Sequence, residues 1–162
     1  MTAKDVIREA IGTARFVTQQ YVGDLSDQEL LMRPAPQANH LAWQLGHLIC
    51  SAHDMMTGVG VSMPALPAGF AERHASDAAS SPDTAGYGGK QAYLSLMEQV
   101  REAALAALER LPDAQLDQPA PEAMRSYAPT VGSVFAMVGL HELMHTGQFA
   151  VLRRKLGKPI VI

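Results

Sequence analysis

Residues 58 to 88 interrupt the chain with a stretch dominated by glycine, proline, serine, alanine and aspartate, in which no apolar period is sustained. At roughly 30 residues it is far longer than most connections in compact domains, and such loops tend to carry function or motion. A segment of that reach can cross a helical layer from end to end, so the helices it joins can run parallel rather than as a hairpin. On both sides of it apolar residues recur at helical spacing. The predicted class is therefore all-α: a four-helix bundle with a long crossover loop between its second and third helices.

Each helix has its own start and stop signals. Thr2 with Asp5 resembles a capping box, and Val6, Ile7, Ala10, Ile11, Ala14, Val17 and Tyr21 follow, which predicts a first helix to about Gly23. Ser26 and Glu29 offer a second capping pair for a short turn that Pro34 and Pro36 end. The second helix is predicted from about Asn39 to Thr57, and the third from Lys90 to Leu111, with Leu96, Met97, Val100, Ala104, Ala107, Leu108 and Leu111 as its buried stripe. Thr130 is the expected N-cap of the fourth, which stops at Gly157 and Pro159. Arg153, Arg154 and Lys155 in its last turn suit the helix dipole and read as a solvated end. A faint echo relates Leu25, Asp27, Leu30 and Pro34-Ala35-Pro36 to Leu111, Asp113, Leu116 and Pro119-Ala120-Pro121, as if each half were helix, connector, helix.

Composition narrows the function classes. The 162 residues are expected to form one domain over 1–162, and 48% of them are apolar. A net charge of -3 argues against a protein that screens nucleic-acid phosphates. The opening MTAKDVIREA does not read as a secretory signal, and the run Val134 to Leu140 is far short of a membrane span. With one cysteine, Cys50, no intrachain disulfide can form, so a soluble protein of the reducing cytoplasm is expected.

The chemistry is concentrated in the last helix. Residues four apart lie about 40° apart around a helix axis and residues seven apart within about 20°, so His141, His145 and Gln148 share a face with Val134, Val138 and Leu152. Two imidazoles side by side among apolar residues are costly unless their nitrogens find partners, and one metal ion serves both. The residues His141-Glu142-Leu143-Met144-His145 also match the HExxH pattern of zinc peptidases, in which the glutamate is the general base. That reading lacks support on two counts. No Asp, Glu or His follows His145 to supply the usual third ligand, and Glu142 is rotated about 100° from His141.

A third ligand must then come from upstream. The candidates are His40, His47, His53, His74, Cys50 and Asp54, and His47 is best placed, mid-helix in LAWQLGHLIC on an expected core-facing stripe. His40 lies near the helix start, where capping is the plainer role. His53 and His74 read as solvated, Cys50 as a small buried thiol and Asp54 as an outward carboxylate. Three neutral imidazoles leave a tetrahedral ion one position for water or a thiolate, as in catalytic rather than structural zinc sites. Nitrogen ligands suit zinc, nickel, iron and copper alike.

The connector LSDQELLMRPAPQANHLAWQLGHL and the closing HELMHTGQFAVLRRKLGKP together resemble the DinB-like (YfiT-like) superfamily over nearly the whole chain. That resemblance implies a four-helix bundle with a long crossover, frequent homodimers, and one divalent metal (zinc, nickel or iron) bound by histidines that correspond to His47, His141 and His145. Its members include thiol-dependent enzymes such as bacillithiol S-transferases and mycothiol-dependent maleylpyruvate isomerase, which implies a low-molecular-weight thiol and a small-molecule substrate. This chain departs from several relatives in carrying His53 where an acidic residue is common, and in its alanine-rich 58–88 loop. The expected function is thiol S-transfer or hydrolysis of a small molecule in a pocket roofed by that loop. A non-catalytic metal- or ligand-binding protein and a structural dimer with interface histidines are the alternatives.

Overall fold

The computed structural model describes residues 1–161, and among them there are seven α-helices and no strand. The helices are α1 (Ala3–Val22), α2 (Asp27–Leu30), α3 (Leu41–Gly58), α4 (Phe70–Arg73), α5 (Lys90–Arg110), α6 (Asp113–Leu116) and α7 (Val131–Lys155). The fold is thus all-helical, and among the described residues no helix is long and apolar enough to cross a membrane.

The expected caps form. Thr2, Ser26 and Thr130 each accept a hydrogen bond from the backbone three residues on, and Asp5, Glu29 and Ser133 return it, so orphan donors at three helix starts are satisfied reciprocally. Gly157, at φ +68°, supplies the left-handed residue that ends α7. The two halves of the echo hold as local structure, since α2 and α6 are both four-residue helices after a long one, and Leu30 and Leu116 are both buried.

The four long helices pack as α1 on α7 and α5, and α3 on α5 and α7. Their relative directions follow from side chains that meet. Arg8, early in α1, pairs with Glu109 at the end of α5, while Lys90 at the start of α5 reaches the Gly23 carbonyl beyond α1, so these two run antiparallel. Gly139 on α7 lies against Ala10 on α1, and Arg153 further along reaches the Tyr21 carbonyl, so α1 and α7 run the same way. A Cβ on Gly139 would stand 2.8 Å from the Ala10 backbone, so glycine is what permits this close approach. Between them the helices bury one apolar cluster, with Ile11, Leu45, Ile49, Met56, Leu108, Phe135 and Phe149 at its centre. Each such side chain contributes about 1.5–3 kcal/mol of burial.

Three expectations are corrected. Arg153 is fully buried, not solvated: its guanidinium donates to Asp24 and to the carbonyls of Tyr21 and Pro159. On α5 the inward stripe takes in Tyr93 and Arg101, while Leu96, Ala107 and Leu111 are only partly covered. The 58–88 segment is not featureless, because it contains α4 and a 3-10 turn at Ser76–Ser80.

Candidate metal centre

The site is assembled from the start of α3 upward. His40 is the N-cap of that helix, its Nδ1 accepting from the Trp43 N–H at 3.0 Å, which is the capping role its position suggested. Trp43 then stands one turn below His47, and the two rings stack at 4.8 Å with planes 9° apart. The indole is itself anchored, since its Nε1–H donates to the Ala75 carbonyl at 3.2 Å. Through that bond the 58–88 segment supports the ring that orients His47.

Opposite, α7 presents His141 and His145 from successive turns. The ring centroids are 4.9 Å apart for His141 and His145, 5.2 Å for His47 and His141, and 5.4 Å for His47 and His145. One ring nitrogen from each lies within 4.8 Å of the others, so the structure brings together the three histidines singled out in the sequence. They sit half-buried at an edge of the core rather than deep inside it, and Gln148 on the same face is exposed.

One residue that the sequence did not single out fixes the third ring. Gln44, fully buried, donates its Nε2–H to the Asn39 carbonyl at 2.9 Å, which leaves its Oε1 as the acceptor 2.9 Å from His145 Nδ1. The proton must therefore be on Nδ1 of His145, which leaves the lone pair on Nε2 available to an ion. Among the described residues neither His47 nor His141 gives a ring nitrogen to any protein hydrogen bond. Three half-buried imidazoles with free lone pairs fit an ion. Bonds of roughly 2.0–2.1 Å set tetrahedral ligand nitrogens about 3.4 Å apart, within reach of small ring rotations here.

Burial also holds the rings in the ligating form. It pushes the pKa of His47, His141 and His145 down, with His47 opposing a charge on His141, and with His141 and His47 both opposing one on His145, which falls to about 4. All three are neutral at pH 7, as metal binding requires.

A cavity of about 480 Å³ opens beside the triad, lined by His47, Ser51, Asp54 and Met55 from α3, by Met137, His141 and Met144 from α7, and by Met124 and Tyr127. The last two belong to the 117–130 connector. The expected roof is therefore corrected: no residue of 58–88 lines this cavity. That segment packs instead on the neighbouring face of α3, where His74 lies over Gly46 so closely that a Cβ there would stand 2.0 Å from the ring.

The remaining candidates do not join the triad. His74 is buried, contrary to expectation, with Nδ1 bonded to the Phe70 carbonyl at 2.7 Å and Nε2 to the Tyr93 hydroxyl at 2.9 Å. His53 is also mostly covered rather than solvated, with Nδ1 3.6 Å from an Asp54 carboxylate that points outward. Burial, reinforced by the negative charges of Asp54 and Glu72, pushes the Cys50 thiol up to about 11, so it is protonated and unreactive at neutral pH. Glu142 is buried and bound by Arg101, which removes it from any role as general base at the triad.

No curated protein matches the chain significantly. The DinB superfamily matches residues 10–149, a span that runs from α1 into α7 and includes all three clustered histidines. With an all-helical fold and that match over most of its length, the chain belongs to the DinB superfamily.

Proposed function

We propose that this chain is a metal-dependent enzyme, a single four-helix-bundle domain with a crossover between its second and third long helices. In this reading His47, His141 and His145 hold one divalent ion, either zinc, nickel or iron. The enzyme transfers or adds a low-molecular-weight thiol, or adds water, to a small molecule that enters the adjoining cavity. The observation that carries the proposal is the convergence of three neutral imidazole nitrogens, from two helices, at the edge of an open cavity. The crossover is supported by α1 running with α7 and against α5.

A divalent ion at this place supplies Lewis acidity that lowers the pKa of a thiol or water bound beside it. The protein's own residues do the rest. Gln44 and Trp43 hold two of the rings in orientation, so little rearrangement accompanies loading. Met55, Met124, Met137 and Met144 exclude water from the substrate's body, and Asp54 offers a proton acceptor at the mouth. A second copy of the chain is part of the proposal, because Leu140 and Val151 stand exposed as large apolar residues on α7.

Metal analysis of protein purified without an affinity tag is the test, run on wild type, His47→Ala and His141→Ala. Wild type is expected to carry about one ion per chain and each variant to lose it while staying helical by circular dichroism. Full retention in both variants defeats the ligand set. Loaded protein is then mixed with an electrophile and cysteine or glutathione, where saturation without turnover defeats the enzymatic reading in favour of a binding protein.

A further inference from the structure

The lining of the cavity selects among small molecules. Four of its nine lining residues are methionines, and together with Tyr127 they form a polarizable, adaptable apolar wall. Met124 is fitted into that wall by Gly58, where a Cβ would stand 2.3 Å from the Met124 methyl. Among the described residues no lysine or arginine lines the cavity. Arg125, next to Met124 in sequence, is engaged elsewhere, donating to the Ala120 carbonyl at 2.6 Å, and Arg101 is held by Glu142 on α7. Asp54 is the single charged side chain of the lining, and it is negative.

A molecule whose body carries a carboxylate would exchange water for thioethers with no partner in return, which disfavours it against an uncharged body of the same shape. An apolar body loses nothing polar and gains contact with the methionine wall on the sides it covers. A volume near 480 Å³ lies within the range of small-ligand sites, about 300–1,000 Å³. Resting on the proposal that chemistry occurs at the triad, we infer that the substrate is an uncharged small molecule with an aromatic or branched aliphatic body. Its reactive end reaches His47 and His141 while the body lies on the four thioethers. Electrophiles of the same size whose body carries a carboxylate are rejected from the methionine wall, which the attacking thiol need not occupy.

The test uses protein labelled with 13C at the methionine methyls, titrated with benzyl alcohol or with benzoate, first free of metal and then loaded with zinc. In metal-free protein benzyl alcohol is expected to shift the methyl signals of Met55, Met124, Met137 and Met144, and benzoate to bind at least tenfold more weakly. Tyr127→Arg places a cation on the exposed rim and is expected to raise benzoate affinity at least tenfold. Equal binding of the two probes overturns the inference, as does failure of both to reach the four methyls or continued exclusion of benzoate by Tyr127→Arg. Benzyl alcohol binding in protein that takes up no zinc upholds the inference and defeats the metal reading. Zinc uptake without probe binding does the reverse.

Discussion

Glu142 and Arg101 face each other across α7 and α5 with both side chains about 95% buried, Oε2 lying 3.1 Å from Nε and Oε1 2.5 Å from Nη2. A carboxylate committed in this way supports packing rather than hydrolysis, even though it sits between the two histidines of an HExxH sequence. The pair fixes the rotation of α7 about its axis, and so which face His141 and His145 present to α3. Removing Glu142 leaves the buried Arg101 with Glu98, 3.4 Å from its Nη1, as its remaining counter-charge, at a cost of up to about 3–5 kcal/mol. Glu142→Gln is therefore expected to lower the urea midpoint markedly, while the folded fraction still takes up metal. Unchanged stability with lost activity would instead make Glu142 a catalytic base.

Gln44 is the orienting partner of His145, and its replacement separates orientation from ligation. Gln44→Leu keeps the apolar packing but removes the acceptor for Nδ1–H. Loss of such supporting partners typically costs 10–100-fold in metal affinity. Competition with a chromophoric chelator should show that drop, and 15N shifts should show the His145 proton no longer confined to Nδ1. An affinity equal to wild type would mean that Gln44 supports folding only.

His40 ties the start of α3 to pH. Its side chain is buried, Nδ1 is an acceptor in the helix cap, and Nε2 has no hydrogen-bond partner. Burial, with repulsion from Arg33 and His74, holds its pKa down at about 4. The unfolded chain protonates near the ordinary value of about 6.5 while the folded chain does not, so stability is lost as pH falls from about 6.5 to about 4. Denaturant titrations of metal-free protein should show this loss, and His40→Asn, which keeps an acceptor without the proton, should show a shallower one. Parallel pH curves for the two proteins would contradict the assignment.

Gly139 sets the distance between α1 and α7. Because its missing Cβ would meet backbone rather than a movable side chain, Gly139→Ala forces the helices apart. Overpacking of this kind costs about 1–3 kcal/mol. A thermal melt should place the variant below wild type, and equal stability would mean that α7 can slide without penalty.

Local chemistry made much of this legible in advance. Caps at Thr2, Ser26 and Thr130 are three-residue signals, and His141 with His145 share a face by helix geometry alone, so neither needed knowledge of distant contacts. Two of the misreadings, Arg153 and His74, concern polar residues whose partners lie outside their own helix or turn. Arg153 looked like a helix-end cation because Asp24, which holds it, lies 129 positions away. His74 read as solvated because nothing near it in sequence announces Tyr93 or the space above Gly46. Gln44 carried one usable signal, three residues before His47 on the same helix, but the sequence does not reveal that its amide is turned by the Asn39 carbonyl. The part that the 117–130 connector plays in the cavity is not legible in the sequence, because Met124 and Tyr127 belong to no periodic pattern or motif.

A crystal structure of zinc-loaded protein, with anomalous difference maps recorded at the zinc edge, bears most directly on whether these rings share one ion. A single peak within about 2.0–2.1 Å of a ring nitrogen from each of His47, His141 and His145, through Nε2 in the case of His145, is the expected result. A fully occupied peak elsewhere, or one that omits His47, would contradict it.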